Sequence, residues 1–201
     1  MSINIRAVQQ GFVGEVTAIN LCAPITQAQA DAIEKGMDDY AVLTFPGQPM
    51  TDEQQVAFTR NFGQLEITLA GQMAKPGERR FQQLELGDIS NYANGDTSRH
   101  YAREDKKRLY ALANRLWHSD ASFRAVGAGY TLLHARVVPS KGADTQFADM
   151  RAAYDALSAA DKAEVENLVC EHSIVFSRQA IGFDDYNPGF DEHLKIGRAH
   201  V

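Results

Sequence analysis

Residues 114–124, NRLWHSDASFR, set His118 and Asp120 two positions apart. Side chains alternate along an extended strand, so both would leave the backbone on the same face. An imidazole and a carboxylate held that way can supply two of the three ligands of a facial triad. Such a triad, two His and one carboxylate, leaves the other positions of octahedral Fe(II) open to a co-substrate and oxygen. The spacing alone has a plainer alternative, a surface His–Asp pair, because HxD is short and common. Trp117 beside the pair reads as a packing residue rather than a platform for substrate.

The elements that must position this pair belong to a chain of ordinary globular composition. Its 201 residues are 44% hydrophobic and 23% charged, with 15 Gly and 6 Pro. Those values exclude collagen, low-complexity disorder and a disulfide-dense secreted scaffold. At roughly 100–200 residues per domain, residues 1–201 read as one domain with a real core. The 20 basic and 26 acidic residues leave a net charge of −6. Bulk charge therefore points to neither nucleic acid nor a membrane surface. Small anions can still be taken by local cations, and Lys75, Arg79, Arg115 and Arg124 are the candidates. The N-terminus has no apolar signal region, and no apolar run approaches the roughly 18 residues of a spanning helix. A cytoplasmic protein is expected, with a homo-oligomer left open. Cys22 and Cys170 form no CxxC pair; two buried thiols are the expectation, and a single disulfide stays open.

Along the chain, 11–20 (GFVGEVTAIN) roughly alternates as a half-buried strand does. Helix follows over 26–40, with Ile33 and Met37 on one face. The apolar run 41–45 (AVLTF), stopped by Pro46 and Gly47, suits a buried strand. Thr51 to Gln54 has the form of a capping box and opens a helix through Phe58 and Phe62 that Gly63 can end. The basic stretch 75–109 reads as a solvated loop, or alternatively a lid, in which only 81–86 (FQQLEL) has strand character. A strong strand is expected over 130–138 (YTLLHARVV) and a helix over 149–157. Ser158 can cap a second helix through Val165, Leu168 and Val169. A last strand is expected over 172–176. This mixture predicts a β core decorated by helices. Of the other histidines, His100 reads as solvent-exposed and His134 as a hydrogen-bonded core residue. His172, His193 and His200 carry no metal role.

WHSDASFR, followed by RVVPSKGADTQFADMRAAYDAL, resembles the taurine/2,4-dichlorophenoxyacetate dioxygenase (TauD/TfdA) family of Fe(II)- and 2-oxoglutarate-dependent oxygenases. The resemblance extends upstream through LTFPGQPMTDEQQVAFTRNFGQLE, and downstream to HSIVFSRQAIGFDDY, with Ile174 and Phe183. DISN (88–91) and LWHSDASFR are more similar to the phenoxyacetate branch than to the taurine branch. The resemblance implies an α+β or mainly β fold, a double-stranded β-helix (jelly roll) with flanking helices. It implies that His118 and Asp120 are metal ligands. Thr145, 27 positions after His118 in GADTQF, would bind a 2-oxoglutarate carboxylate through its hydroxyl, and Asn114 would contact substrate or co-substrate, as a substrate-binding residue. Without the resemblance, Thr145 reads as a turn residue and Asn114 as a loop residue serving its own backbone.

The family's second histidine ligand, and the arginine that pairs with the distal carboxylate of 2-oxoglutarate, have no matching positions here. Arg198 and His200 stand in the inverted order. The tail 196–201 is expected to form no closing strand or helix, and the chain reads as the N-terminal part of such an oxygenase, with the fold incomplete at its C-terminus. The implied reaction of the intact parent hydroxylates the carbon beside the ether oxygen of a phenoxyalkanoate. Its products are a phenol, a 2-oxo acid, succinate and CO2. A taurine or alkylsulfonate dioxygenase is the alternative within the class. A catalytically silent fragment that only binds a ligand or partner is the alternative outside it.

Overall fold

The computed structural model describes residues 2–68, 79–93, 96–182 and 197–200. Contacts divide the chain into two compact units, 1–88 with 132–152, and 89–131 with 153–201. Lys75, Phe183 and His193 lie outside the described residues.

The first unit is built on a three-stranded sheet in the order β1 (Asn4–Gln9), β2 (Val13–Thr17), β3 (Val42–Thr44). β1 and β2 pair antiparallel, with Ile5 opposite Val16; β2 and β3 run parallel, with Gly14 opposite Leu43. The parallel step needs a crossover, which α1 (Gln27–Asp39) supplies. Thr26 caps α1 reciprocally with Gln29, and Thr51 caps α2 (Asp52–Thr59) reciprocally with Gln54. Each box satisfies two of the backbone donors that a helix start leaves unpaired. A 3-10 turn (Arg60–Phe62) ends α2, and Gly63, with φ of +130°, reverses the chain.

The core of this unit gathers Leu21, Ile33 and Phe58, with Ile25, Leu43, Phe45, Met50 and Phe62 packed against them. The Phe58 ring meets Phe45 and Phe62 edge-on at 6.0 and 5.2 Å between centroids. Close approach of α1 to the sheet depends on two glycines. A Cβ at Gly36 would stand 2.6 Å from Ile5 Cδ1, and one at Gly14 2.8 Å from Leu43 Cδ2.

Two expected strands of the first unit are absent as strands. Residues 81–86 form a turn and irregular backbone, and a side chain takes two of their carbonyls. Arg79 Nη2 donates to the Gln83 and Leu86 carbonyls at 2.6 and 3.0 Å. Gln83 Nε2 in turn donates to Glu53 Oε1 at 2.8 Å. The Glu53 carboxyl is held below its ordinary pKa by its own backbone N–H first, then by the Thr51 hydroxyl and the Gln83 amide.

Residues 130–138 are irregular too. A strand exists only where a neighbour takes its N–H and C=O groups, and over 132–138 no neighbouring strand pairs with this segment among the described residues. Side chains hold 132–138 instead: Leu132 packs on the core, and Arg136 reaches Asp52 Oδ1 at 2.8 Å and Gln55 Oε1 at 3.0 Å. Val137 and Val138 are left 70% and 76% exposed. His134 is half-buried, and among the described residues its Nδ1 has no hydrogen-bond partner, unlike the satisfied core histidine expected.

The second unit begins inside the stretch read as loop or lid. Strands β4 (Tyr92–Ala93) and β5 (Asp96–His100) pair antiparallel, and α3 (Lys106–Leu112) follows. His100 is exposed as expected and stacks on Tyr92 at 5.2 Å. Helix α4 (Met150–Asp155), within the helix expected over 149–157, begins at the end of the first unit and runs into the second. Helix α5 (Ala159–Val165) is capped by Ser158, whose hydroxyl accepts from the Asp161 N–H at 3.1 Å. The strand expected over 172–176 is displaced. β6 covers Val169–His172, and Ser173 caps α6 (Ile174–Gln179). β6 pairs antiparallel with β7 (Gly197–His200), so the tail does carry a strand, contrary to expectation. Cys22 is half-buried and Cys170 exposed, both as free thiols, so neither the disulfide nor the pair of buried thiols is present.

Candidate metal and ligand site

The segment with His118 and Asp120 lies in the second unit and is not a strand. A 3-10 turn (Ala113–Arg115) follows α3, and the chain then runs irregularly through His118 into a turn that begins at Asp120. The two side chains therefore meet on irregular backbone just ahead of a turn rather than on a strand. Ala121 takes the left-handed conformation, with φ of +54°, and its carbonyl accepts from the Arg124 N–H at 3.0 Å. A residue with a Cβ is seldom found there, and such strain gathers at sites that must hold a shape.

The resulting geometry suits a cation. His118 Nδ1 lies 2.7 Å from the Leu116 carbonyl oxygen. That oxygen can only accept, so Nδ1 carries the proton. In a neutral ring, Nε2 then presents its lone pair to Asp120 Oδ1, 3.2 Å away. Two acceptors facing each other at that distance need a second ring proton or a cation between them. Donors on adjacent vertices of an octahedral ion, with bonds of about 2.1 Å, stand about 3 Å apart. The pair fits two neighbouring ligand positions, and both side chains are about half exposed and accessible. The surface ion pair fits the same distance if the imidazole is doubly protonated. Among the described residues no third His, Cys, Asp or Glu completes a metal-binding group.

The other candidates are placed separately. Asn114 sits in the 3-10 turn and is exposed, and its Oδ1 accepts from Arg178 Nη2 at 3.0 Å. Thr145 belongs to the first unit, exposed on irregular backbone just after two left-handed residues, Gly142 (φ +72°) and Ala143 (φ +60°). Arg79 is committed to backbone carbonyls as described, and Arg124 packs on Phe123 at 5.7 Å. Arg115 is exposed in the 3-10 turn next to Asn114. Trp117 is 70% exposed rather than packed. A surface cavity of about 420 Å³ in the first unit, lined by Arg60, Gly63, Gln64, Leu65 and Glu85, includes none of the candidates.

Sequence reasoning missed two contacts that hold the ligand segment. His172 Nδ1 and Ser122 Oγ are 2.9 Å apart, and Arg178 grips Asn114. The only signal for Arg178 is its spacing, four residues after Ile174 in a capped helix, which puts it on the apolar face.

The family described as "Taurine catabolism dioxygenase TauD, TfdA family" matches residues 4–201. The chain belongs to this TauD/TfdA family. It is 43% identical over 190 residues to the alpha-ketoglutarate-dependent 2,4-dichlorophenoxyacetate dioxygenase of Burkholderia sp. (strain RASC), covering 93% of this chain and 62% of that protein. It is 35% identical over 181 residues to the (S)-phenoxypropionate/alpha-ketoglutarate-dioxygenase of Sphingobium herbicidovorans, covering 90% of this chain and 57% of the relative. The crystal structure of AAD-2 in complex with Mn(II) and N-oxalylglycine superposes with a TM-score of 0.89 at 43% identity, over 100% of this chain and 68% of that one. This TauD/TfdA chain thus shares the fold of a TauD-like oxygenase, while spanning a little under two thirds of the length of the curated relatives it matches. None of its described helices is long and apolar enough to cross a membrane.

Proposed function

We propose that the protein acts as an Fe(II)- and 2-oxoglutarate-dependent dioxygenase of phenoxyalkanoates, and that residues 1–201 are the N-terminal part of its single, jelly-roll oxygenase domain. The observation that carries this reading is the His118–Asp120 pair, with donor atoms 3.2 Å apart on a segment of the family's pattern. Relatives named for 2,4-dichlorophenoxyacetate and phenoxypropionate support the substrate class.

His118 Nε2 and Asp120 Oδ1 would hold the iron, which when bound supplies the activation of oxygen that no side chain can perform. The Leu116 carbonyl accepts from Nδ1–H and so leaves Nε2 as the nitrogen that would face the metal. Thr145 offers a hydroxyl to a carboxylate of 2-oxoglutarate, donating without adding charge. Asn114 contacts the anionic substrate, with Arg115 or Arg124 the nearest cations in sequence. One oxygen atom goes to the carbon beside the ether oxygen and the other into succinate. The hydroxylated ether then splits into a phenol and a 2-oxo acid, with CO2 from 2-oxoglutarate. Substrate, 2-oxoglutarate and O2 are the small-molecule partners, in keeping with a cytoplasmic enzyme.

Anaerobic titration with Fe(II) and 2-oxoglutarate tests the site through the visible charge-transfer absorption of the chelate. The band is expected from the unaltered protein and lost in His118→Ala. A band that persists in His118→Ala removes that residue from the ligand set. Product analysis tests the substrate: phenol release is expected from phenoxyacetates, whereas sulfite release from taurine would move the assignment to the alkylsulfonate branch.

A further inference from the structure

The amide of Asn114 has two unlike faces, an oxygen that accepts and an NH2 that donates. Arg178 decides which way they point. Its Nη2 donates to Asn114 Oδ1 at 3.0 Å. A guanidinium has donors only, so the amide oxygen must face it and the NH2 must turn away. Arg178 is 7% exposed, whereas Asn114 is exposed. The guanidinium carbon lies 4.4 Å from the Tyr110 ring centroid, and Nη1 donates to Ser177 Oγ at 3.4 Å. Its Nε has no hydrogen-bond partner, and no carboxylate pairs with it among the described residues.

Among the described residues this buried cation has no counter-charge, which is costly, and an apolar residue on the same face as Ile174 would suit helix packing better. The arrangement is therefore poor as a device for stability alone. It is well suited to fixing a polar side chain from behind, since the fork of the guanidinium is planar and pre-organised. The same β6–α6 unit grips the far end of the segment through His172 and Ser122, 2.9 Å apart. His118 and Asp120 lie between the two grips.

We infer that Arg178 is a positioning residue that orients the Asn114 amide so that its NH2 is presented as a donor to the carboxylate of an anionic ligand. This rests on the reading of Asn114 as a ligand contact.

Calorimetric titration of the full chain with 2,4-dichlorophenoxyacetate, in the presence of Mn(II) and N-oxalylglycine, tests it without turnover. Asn114→Ala is expected to weaken binding about tenfold or more, as loss of a hydrogen bond to a charged group does. Arg178→Lys keeps the charge but loses the planar fork. It is expected to weaken binding several-fold in the unaltered background and to have no further effect in Asn114→Ala, as two residues acting through one contact require. Asn114→Asp keeps an acceptor against Arg178 and replaces the donor. It is expected to lose at least as much affinity as Asn114→Ala while its melting temperature is unchanged or raised.

An equal loss from Arg178→Lys in both backgrounds overturns the inference while leaving Asn114 as a ligand contact. Retention of affinity in Asn114→Asp with loss in Asn114→Ala also overturns it, because the NH2 is then not the group that binds. Unchanged binding in Asn114→Ala removes Asn114 from the site and the inference with it. Absence of binding by the unaltered chain overturns both the inference and the proposed function.

Discussion

Ala121 begins the hydrogen-bonded turn that follows directly on the proposed metal ligands. Its φ of +54° turns the chain directly after Asp120, whose Oδ1 stands 3.2 Å from His118 Nε2. A left-handed residue with a Cβ costs about 1–2 kcal/mol. Glycine removes that strain but adds freedom to the unfolded chain worth about 0.4–1 kcal/mol. Ala121→Gly is therefore expected to change stability by less than about 1 kcal/mol and to keep the affinity for Mn(II). A β-branched residue is a genuine outlier at positive φ. Ala121→Val is expected to lower Mn(II) affinity, read by titration of the free ion's electron paramagnetic resonance signal with N-oxalylglycine present. Unchanged affinity in the valine variant would show that the turn does not set the ligand pair. At this scale the identity of His118 and Asp120 was legible in WHSDASFR, but the reason for their proximity was not. Alternation along a strand and irregular backbone can both bring residues two apart together, and the residue types do not distinguish them. Arg178 was illegible as a positioning residue, because its partner Asn114 lies 64 positions away.

Among elements, those specified by local chemistry could be read and those specified by distant partners could not. The Thr51 box and the Ser158 cap close within three residues, so their side chains announce the helix start. The segments 81–86 and 130–138 have strand composition, yet a strand needs a neighbour that composition does not name. Arg79 takes two carbonyls of the first segment, and Arg136 ties the second to α2 through Asp52 and Gln55. α1 shows the opposite case, where tertiary contact overrides propensity. Alanine at an exposed mid-helix glycine stabilises by about 1 kcal/mol. At Gly36 the added Cβ would stand 2.6 Å from Ile5 Cδ1 and 3.2 Å from Leu43 Cδ1. Overpacking of that kind costs about 1–3 kcal/mol. Gly36→Ala is therefore expected to lower the melting temperature, and Ile5→Val, which removes the obstructing methyl, to recover most of the loss. A Gly36→Ala chain that melts higher than the unaltered one would mean that the helix stands off the sheet.

At the scale of the whole molecule, the two units are unequally provided with core. The buried hydrophobic residues Val16, Leu21, Ala30, Ile33, Val56 and Phe58 all belong to the first unit, and Ile174 alone to the second among the described residues. The second unit also carries Val126 and Phe176 at 82% and 74% exposure. Burial of apolar surface supplies most of the free energy that resists opening, so protection against amide exchange should follow its distribution. The amides of α1, β2 and α2 are expected to exchange slowest, and those of β5 and β6 orders of magnitude faster. A ligand that binds only the closed form adds protection where it binds, by an amount set by its concentration over its dissociation constant. Mn(II) with N-oxalylglycine is therefore expected to slow exchange across 114–124 and across α6, which grips that segment through Arg178, while leaving β1 and β2 unchanged. Slowing confined to β1 and β2, or spread evenly over the chain, would place ligand binding away from His118 and Asp120. Equal exchange in the two units without ligand would show that the second unit draws its stability from something other than its own buried residues.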